Sequence, residues 1–536
     1  MAFIILFLVS IPAIWNLIIP GHFQPHDLHH LADIYEMARS FSGQFPPRWA
    51  PDFTGGFGYP LFSFYYVLPF YIGAFFYSIL GSLTESIKLV FLLCFTISIW
   101  GMYRFLREFF DKWPSILGTV VFTYAPYRAV QIYVRGAVGE ALALALLPVV
   151  AYFLVKLVKT PNTKNISLTS ISLALFIATH NYMWFLSLPF IYVLLPFLIS
   201  KKELVKSGKA LLLSSILGLG AVSYWVFPAI FELKYIPRLT PFLLEDHFPF
   251  LKQLILPSWG YGASVWGPYD GLSFQIGIVN LLSIALLVAL FVFRFKNLSR
   301  QKLLLAIWTL ACFFIAVAFM NVRTLPLWKI LPIYNFVQFP WRLLYLTAFF
   351  TSIAGALIVE LLPKGFGKKL SVILIVACLF LTKDYFKPSS RIYLSDQHYF
   401  NLFFNDPNYS EDYLLLTQWS DQKPTLSKVS KFTIEGGSIS NITQNTPVNW
   451  SVIAKANEPA VVTFNSYYFP GWFVKVDGND TEIVPGKPYG QVTFSIPQGD
   501  HQINVYWKET KFRIFFDIIS IASISFIIFL FYKKED

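Results

Sequence analysis

Two carboxylates occur where chemistry at a membrane boundary would need them. Asp27 follows the first apolar run, between His26 and the pair His29 and His30, and Glu140 stands where a later loop enters another apolar run. An ionisable group at such a boundary is a functional candidate when it faces protein or a water-filled cavity. Carried on separate loops, the two could converge on one cavity, one acting as a general base and the other orienting an acceptor or holding a metal ion. The competing reading is a solvated loop charge, or a carboxylate placed against a helix N-terminus.

Other residues could complete such a site. His26 and His30 are one helical turn apart, a spacing that can present two imidazoles to a metal from one face; interfacial hydrogen bonding is the alternative. Arg128, Arg135 and, within Phe339-Pro340-Trp341-Arg342, Arg342 are fixed cations that could grip a phosphate. Each could equally snorkel to lipid headgroups. His180 and Asn181 form a polar turn between two apolar runs, able to contact a ligand or to cap the turn.

The elements that must position these residues belong in lipid. Hydrophobic residues make up 56% of the chain and charged residues 13%, against about 25% charged in soluble domains. Runs such as 3–19, 210–231, 276–293 and 343–359 are uncharged, or nearly so, over roughly the length of a bilayer crossing. The expected architecture is therefore a polytopic α-helical membrane protein of about twelve crossings. The formal net charge of +12 comes from basic clusters in short loops, among them Arg104, Arg107 and Lys112; Lys201, Lys202, Lys206 and Lys209; Lys296, Arg300 and Lys302; and Lys533 with Lys534. That is the positive-inside pattern and places those loops on the cytoplasmic side. No basic patch with groove-reading partners accompanies them, which excludes nucleic-acid binding. Cys94, Cys312 and Cys378 all fall in apolar runs and read as small buried hydrophobes. The first run lacks a basic n-region and a small-residue cleavage site, so a retained first helix is expected.

Parity constrains the outer loops. A full crossing over 60–80 would export Arg104 and Arg107, so that segment, with Pro60 and Pro69, is expected to form a re-entrant or interfacial pair of half-helices within one outer loop, 21–83. Inside this loop, 27–41 spaces Leu28, Leu31, Ile34 and Met37 like a short amphipathic helix on the membrane surface. The helical part is taken as 1–382. From 383 to 511 the composition turns polar, and 461–464, 472–476, 491–496 and 502–507 read as strands, with turn signals at Asp477-Gly478 and Gln498-Gly499. A small extracytoplasmic β-sandwich-like domain is expected there, and 512–536 then forms the last helix and a cytoplasmic tail.

Several stretches carry a resemblance. His26-Asp27, the run from Phe45 to Trp49, the Gly55-Gly56-Phe57-Gly58-Tyr59-Pro60 loop, Ala125-Pro126-Tyr127-Arg128 and Tyr133-Val134-Arg135-Gly136 with Glu140 resemble a prokaryotic membrane-protein family labelled 6-pyruvoyl-tetrahydropterin synthase-related. Its architecture is similar to that of GT-C glycosyltransferases. Thr179-His180-Asn181, Phe339 to Arg342, and Tyr467 to Trp472 with Val476-Asp477-Gly478 extend the likeness over nearly the whole chain. The resemblance implies a GT-C-like enzyme of the cell membrane, transferring sugar from a polyprenyl-phosphate donor on the outer face. Asp27 would match the catalytic acid after the first helix, and Glu140 a second acid. His26 stands where the commoner motif has another acid, which leaves a divalent metal ion open as cofactor. Two other readings compete: a transporter or lipid flippase, whose marks would be internal repeats and broken helices, and a non-catalytic scaffold whose β-domain binds a glycan or a partner.

Overall fold

The computed structural model of the chain describes residues 2–237, 243–294, 298–406, 416–424 and 430–533. Seven of the described helices are long and apolar enough to cross a membrane: Leu83–Leu106, Val138–Lys159, Lys201–Ala221, Arg300–Phe319, Pro340–Glu360, Lys364–Thr382 and Lys511–Tyr532. Five shorter apolar helices, Ala2–Ile18, Leu68–Leu80, Thr163–Ile177, Met183–Leu198 and Ile278–Phe293, accompany them. About twelve crossings are expected from the sequence; among the described residues seven helices have crossing length, and the protein is a multi-pass helical membrane protein. Of the basic loop residues, Lys296 and Lys534 lie outside the described residues.

Val138–Lys159 and Pro340–Glu360 form the centre, enclosed by protein along nearly their whole length, whereas Lys511–Tyr532 turns most of its surface outward. Lipid supplies no hydrophobic drive for helix association, so small residues that let backbones approach matter most. Ala141, Ala143, Ala145 and Ala151 serve this on the first central helix, and Ala348, Ala354 and Ala356 on the second, all of them buried.

Residues 60–80 form two short helices, Leu61–Phe64 and Leu68–Leu80, separated at Tyr65, which is extended. Pro69 sits in the first turn of the second, where its missing N–H leaves no intrahelical bond unmade. Thirteen residues reach about 20 Å, short of a 30 Å hydrocarbon core. The amphipathic helix expected over 27–41 is His30–Ser40, and it does not lie on a surface: Asp33, Glu36 and Ser40 on its polar side are buried along with Leu31, Ile34 and Met37. The reason is that the rest of the loop folds over it. Glu36 accepts the Asp52 N–H at 3.0 Å, and the Ser40 hydroxyl donates to the Trp49 carbonyl at 2.8 Å.

The β-sandwich precedes the last helix. Its strands are β1 Phe432–Ile434, β2 Gly437–Thr446, β3 Asn449–Ala456, β4 Ala460–Tyr467, β5 Trp472–Val476, β6 Asn479–Thr481, β7 Val484–Gly486, β8 Gln491–Ile496 and β9 Gly499–Trp507. They pair antiparallel in two sheets, ordered β1-β4-β8-β7 and β2-β3-β9-β5-β6. The polar stretch that begins at 383 is therefore divided. Phe386, Tyr399 and Phe403 pack into the helical core, and Ile392 exchanges two backbone hydrogen bonds of 2.8 Å with His22, before the first strand begins at Phe432.

Two sets of contacts tie the sandwich to the outer loop. Trp49 and Phe57 from the loop are part of the sandwich core, Trp49 with its ring 5.5 Å from Trp472 and 5.0 Å from Trp507. Buried Arg48 pairs with Glu509 at 3.0 Å and Asp517 at 3.2 Å, at the junction of β9 and the last helix. Beside it, Arg513 grips Glu232 with Nε and Nη2 at 3.0 Å. Fork-like guanidinium pairs of this kind fix geometry as well as charge.

Candidate functional site

The outer loop and the segment ahead of Glu140 meet through backbone. His26 N–H donates to the Val134 carbonyl at 3.0 Å and Asp27 N–H to the Arg135 carbonyl at 2.8 Å. Val130–Arg135 is a π-helical turn, a wider winding found often at functional sites, and Gly136 ends it in the left-handed region at φ +68°. A side chain at Gly136 would also strike Pro25, its Cβ lying 2.6 Å from that ring. Helix Val138–Lys159 then starts, with Glu140 in its first turn where the helix dipole favours an anion. Gly139 beside it lets the chain pass Tyr66: an added Cβ would lie 2.5 Å from the Tyr66 ring and 2.8 Å from the Thr179 carbonyl.

Glu140 is the hub of the cluster this creates. Arg135 Nη1 donates to its Oε2 at 2.6 Å, the Tyr127 hydroxyl donates to the same oxygen at 3.0 Å, and Arg342 Nε lies 2.6 Å from Oε1. The Arg342 contact is charge to charge, since its N–H is not aimed at the oxygen. Arg135 also stacks its guanidinium 4.8 Å from the Trp341 ring centre, and Arg342 lies 4.9 Å from that of Phe339. Asp27 completes the group, with Oδ2 at 3.7 Å from Arg135 Nη2. Its side chain is 29% exposed, whereas those of Glu140, Arg135 and Arg342 are 2%, 6% and 9% exposed. Two cations thus face two carboxylates, and only Asp27 among these four is open to an incoming molecule.

His180 joins from the side, its ring 5.1 Å from that of Tyr66 and stacked on it. Burial first, then the Arg342 guanidinium, pushes its pKa down to about 3. It is therefore neutral at physiological pH; its Nδ1 accepts the Tyr182 N–H at 3.4 Å, which leaves Nε2 carrying the proton as a donor. The other expected residues are engaged elsewhere. Asn181 Nδ2 donates to the Phe64 carbonyl at 3.1 Å and stitches the turn to the outer loop. Arg128 points into the helical core, bonded to Ser98 Oγ at 2.6 Å and stacked 4.2 Å from Phe95.

His26 and His30 take separate partners. His26 Nε2 donates to the Tyr261 carbonyl at 2.9 Å, whereas His30 Nδ1 meets Asp33 Oδ2 at 3.0 Å and its Nε2 the Tyr66 hydroxyl at 3.3 Å. The donor atoms that gather are those of His29, His30 and Asp33, all within 4.8 Å of one another. Two imidazoles and a carboxylate suit a zinc-like ion. The His30 and Asp33 side chains are also satisfied by one another through a proton. Burial, opposed by His29, pushes the Asp33 carboxyl up to about 7.

Tyr66, Tyr127 and Trp341 contact these charged residues although only the charged members of their motifs stand out in the sequence. For two of them the signal is adjacency, since Tyr127 precedes Arg128 and Trp341 precedes Arg342, whereas Tyr66 lies between Tyr65 and Val67 and carries no such signal.

Residues 67–227 match the family described as dolichyl-phosphate-mannose-protein mannosyltransferase. That stretch holds Arg135, Glu140 and His180, while Asp27 and Arg342 fall outside it. No curated protein matches the chain. Among solved structures, the cryo-EM structure of the arabinofuranosyltransferase AftD from mycobacteria is similar over 74% of this chain, at 14% identity and a TM-score of 0.48. The chain spans 28% of the length of that protein.

Proposed function

We propose that this protein is a GT-C-like membrane glycosyltransferase that moves a sugar from a polyprenyl-phosphate carrier to a hydroxyl acceptor on the side of the membrane away from the basic loops. The observation that carries this reading is the pairing of the partly exposed Asp27 carboxylate with the buried Arg135–Glu140–Arg342 cluster. The family match supports it, because that family's description names a dolichyl-phosphate-linked mannose donor, which is polyprenyl-phosphate chemistry, and the matched residues include Arg135 and Glu140.

In this reading the acceptor hydroxyl attacks the anomeric carbon, and the bond from that carbon to the carrier phosphate breaks. Asp27 takes the hydroxyl proton as general base and returns it to water through its exposed side. Arg135 is the cation nearest Asp27 and stabilises charge developing on the departing phosphate. Glu140 is a positioning residue: it accepts from the Arg135 guanidinium and the Tyr127 hydroxyl and pairs by charge with Arg342, which holds Arg135 and Arg342 in place before substrate arrives. Neutral His180 donates its Nε2–H to a sugar hydroxyl oxygen. Arg128 and Asn181 take no part, since Arg128 turns into the helical core against Phe95 with Nη2 on Ser98, and Asn181 Nδ2 is bonded to the Phe64 carbonyl. A divalent ion at His29, His30 and Asp33 would add a Lewis acid beside the site.

Asp27→Asn tests the assignment. The substitution preserves size and removes the base, so sugar transfer from a polyprenyl-phosphate donor by the purified variant should fall about a hundredfold or more. Wild-type transfer by a folded, membrane-inserted Asp27→Asn protein would overturn it.

A further inference from the structure

Helix Val138–Lys159 carries Glu140 at one end and Lys159 at the other. At 1.5 Å per residue the two are about 28 Å apart, close to one hydrocarbon thickness. Lys159 therefore belongs to the opposite leaflet from the candidate site, and the surface around it is concave. A cleft of 480 Å³ there is lined by Lys159, Lys201 and Arg300, with Phe109, Phe197 and Leu304 among its apolar walls.

Phe197 and Leu304 also line a second groove, of 380 Å³, so the two are continuous. This groove runs from Leu304 to Ile315, about 16 Å along helix Arg300–Phe319, and its facing wall is Phe190 and Val193. It exists because the neighbouring helix stops early. Met183–Tyr192 has only ten residues, and the chain then tightens into the 3-10 turn Leu195–Leu198, leaving the lower wall incomplete. The walls are pinned to each other, since Trp308 Nε1 donates to the Phe190 carbonyl at 2.7 Å. With that N–H used, the groove offers a ligand only apolar surface.

The basic mouth differs from the trough. Lys159 is paired with Glu108 at 3.0 Å, while among the described residues Lys201 and Arg300 have no carboxylate partner. A positive-inside loop explains cations at this level but not an apolar trough leading out of them. Basic pockets between transmembrane helices on the cytoplasmic side are sites for anionic lipid headgroups. We infer that this continuous groove binds an anionic phospholipid of the leaflet on the basic-loop side, with one acyl chain in the trough and the phosphate between Lys201 and Arg300. The site is separate from the Asp27 cluster, and its occupancy does not depend on the reaction proposed there.

The test uses the full-length protein in detergent, titrated with phosphatidylglycerol, phosphatidylcholine or a polyprenyl monophosphate, with native mass spectrometry and thermal shift as readouts. Phosphatidylglycerol should bind more tightly than phosphatidylcholine and raise the melting temperature. The exposed double variant Lys201→Glu/Arg300→Glu should weaken phosphatidylglycerol binding tenfold or more. Ile307→Trp, which fills the trough without changing charge, should weaken it as well. Equal affinity for the two phospholipids, unchanged binding in both variants, or displacement of phosphatidylglycerol by equimolar polyprenyl monophosphate would each overturn the assignment, the last by making the carrier the occupant.

Discussion

Arg135 Nη1 and Glu140 Oε2 lie 2.6 Å apart, joining the end of a π-helical turn to the first turn of the central helix across the left-handed Gly136. Both side chains are buried, and both reach a second residue of opposite charge: Arg135 reaches Asp27, and Glu140 reaches Arg342. The charges alternate, carboxylate to guanidinium to carboxylate to guanidinium, with Asp27 at the open end and Glu140 the most deeply buried.

Removing the inner carboxylate should be felt as lost stability. Glu140→Gln would leave two buried guanidiniums without their shared anion, and breaking a buried pair in this way costs about 3 to 5 kcal/mol. Melting of the detergent-solubilised variant followed by tryptophan fluorescence should show a clear drop, whereas Asp27→Asn should melt near wild type. Equal melting of wild type and Glu140→Gln would refute the hub role.

Gly139→Ala should damage the site without touching a charge. The new methyl would meet the Tyr66 ring on one side and the Thr179 carbonyl on the other, so the first turn that carries Glu140 must shift. Displacements of about 1 Å at an active site can cost about a hundredfold in rate. Transfer assays on Gly139→Ala should show such a loss with the protein still inserted, and an unaltered rate would mean that the turn tolerates the shift.

Asp33 sets a pH dependence of known sign. Its folded pKa, about 7, lies above the ordinary value of 3.8, so between those values the native state holds more protons than the unfolded chain. Stability contributed by this group is complete below about pH 4 and is lost as pH rises towards 7, by up to about 4 kcal/mol. Asp33→Asn should flatten that part of the stability profile and should exceed wild type in melting temperature above pH 7. Parallel wild-type and variant profiles from pH 4 to 8 would contradict the assignment.

Sidedness can be read by labelling. The three native cysteines are buried and free, so a single cysteine introduced at exposed Asn479, in the β5–β6 hairpin, has a silent background. A membrane-impermeant maleimide should modify Asn479→Cys in intact cells. Modification only after the membrane is permeabilised would place the sandwich in the cytoplasm.

Much of the site was legible from residue type at a membrane boundary. Asp27, Arg135, Glu140, His180 and Arg342 are polar where apolar runs begin or end, and the fold gathers them. Arg128 satisfies the same criterion and yet turns into the core, because one local turn decides whether Tyr127 or Arg128 faces Glu140, and that is a matter of backbone winding. The strands with alternating apolar residues, such as 491–496, stand out in the sequence, but β2 does not: Gly437–Thr446 is polar and mostly exposed, and it becomes a strand by pairing with β3. The burial of Asp33 and Glu36 was hidden for a related reason. A helix with one polar side looks like a surface helix until the chain that covers it is known.

The pairing of Arg48 with Glu509 and Asp517 also orders events during synthesis. The loop that bears Asp27 leaves the ribosome well before the partners that hold its far end, since Glu509 follows Arg48 by 461 residues. At about 5 to 20 residues per second the wait is roughly 25 to 100 s. During that interval Arg48 has no anion and Trp49 no sandwich to enter, so the outer loop emerges unfinished and closes only when the helix Lys511–Tyr532 inserts. A nascent chain arrested before residue 509 would carry every residue of the Asp27 cluster and still lack the clasp that shapes the loop.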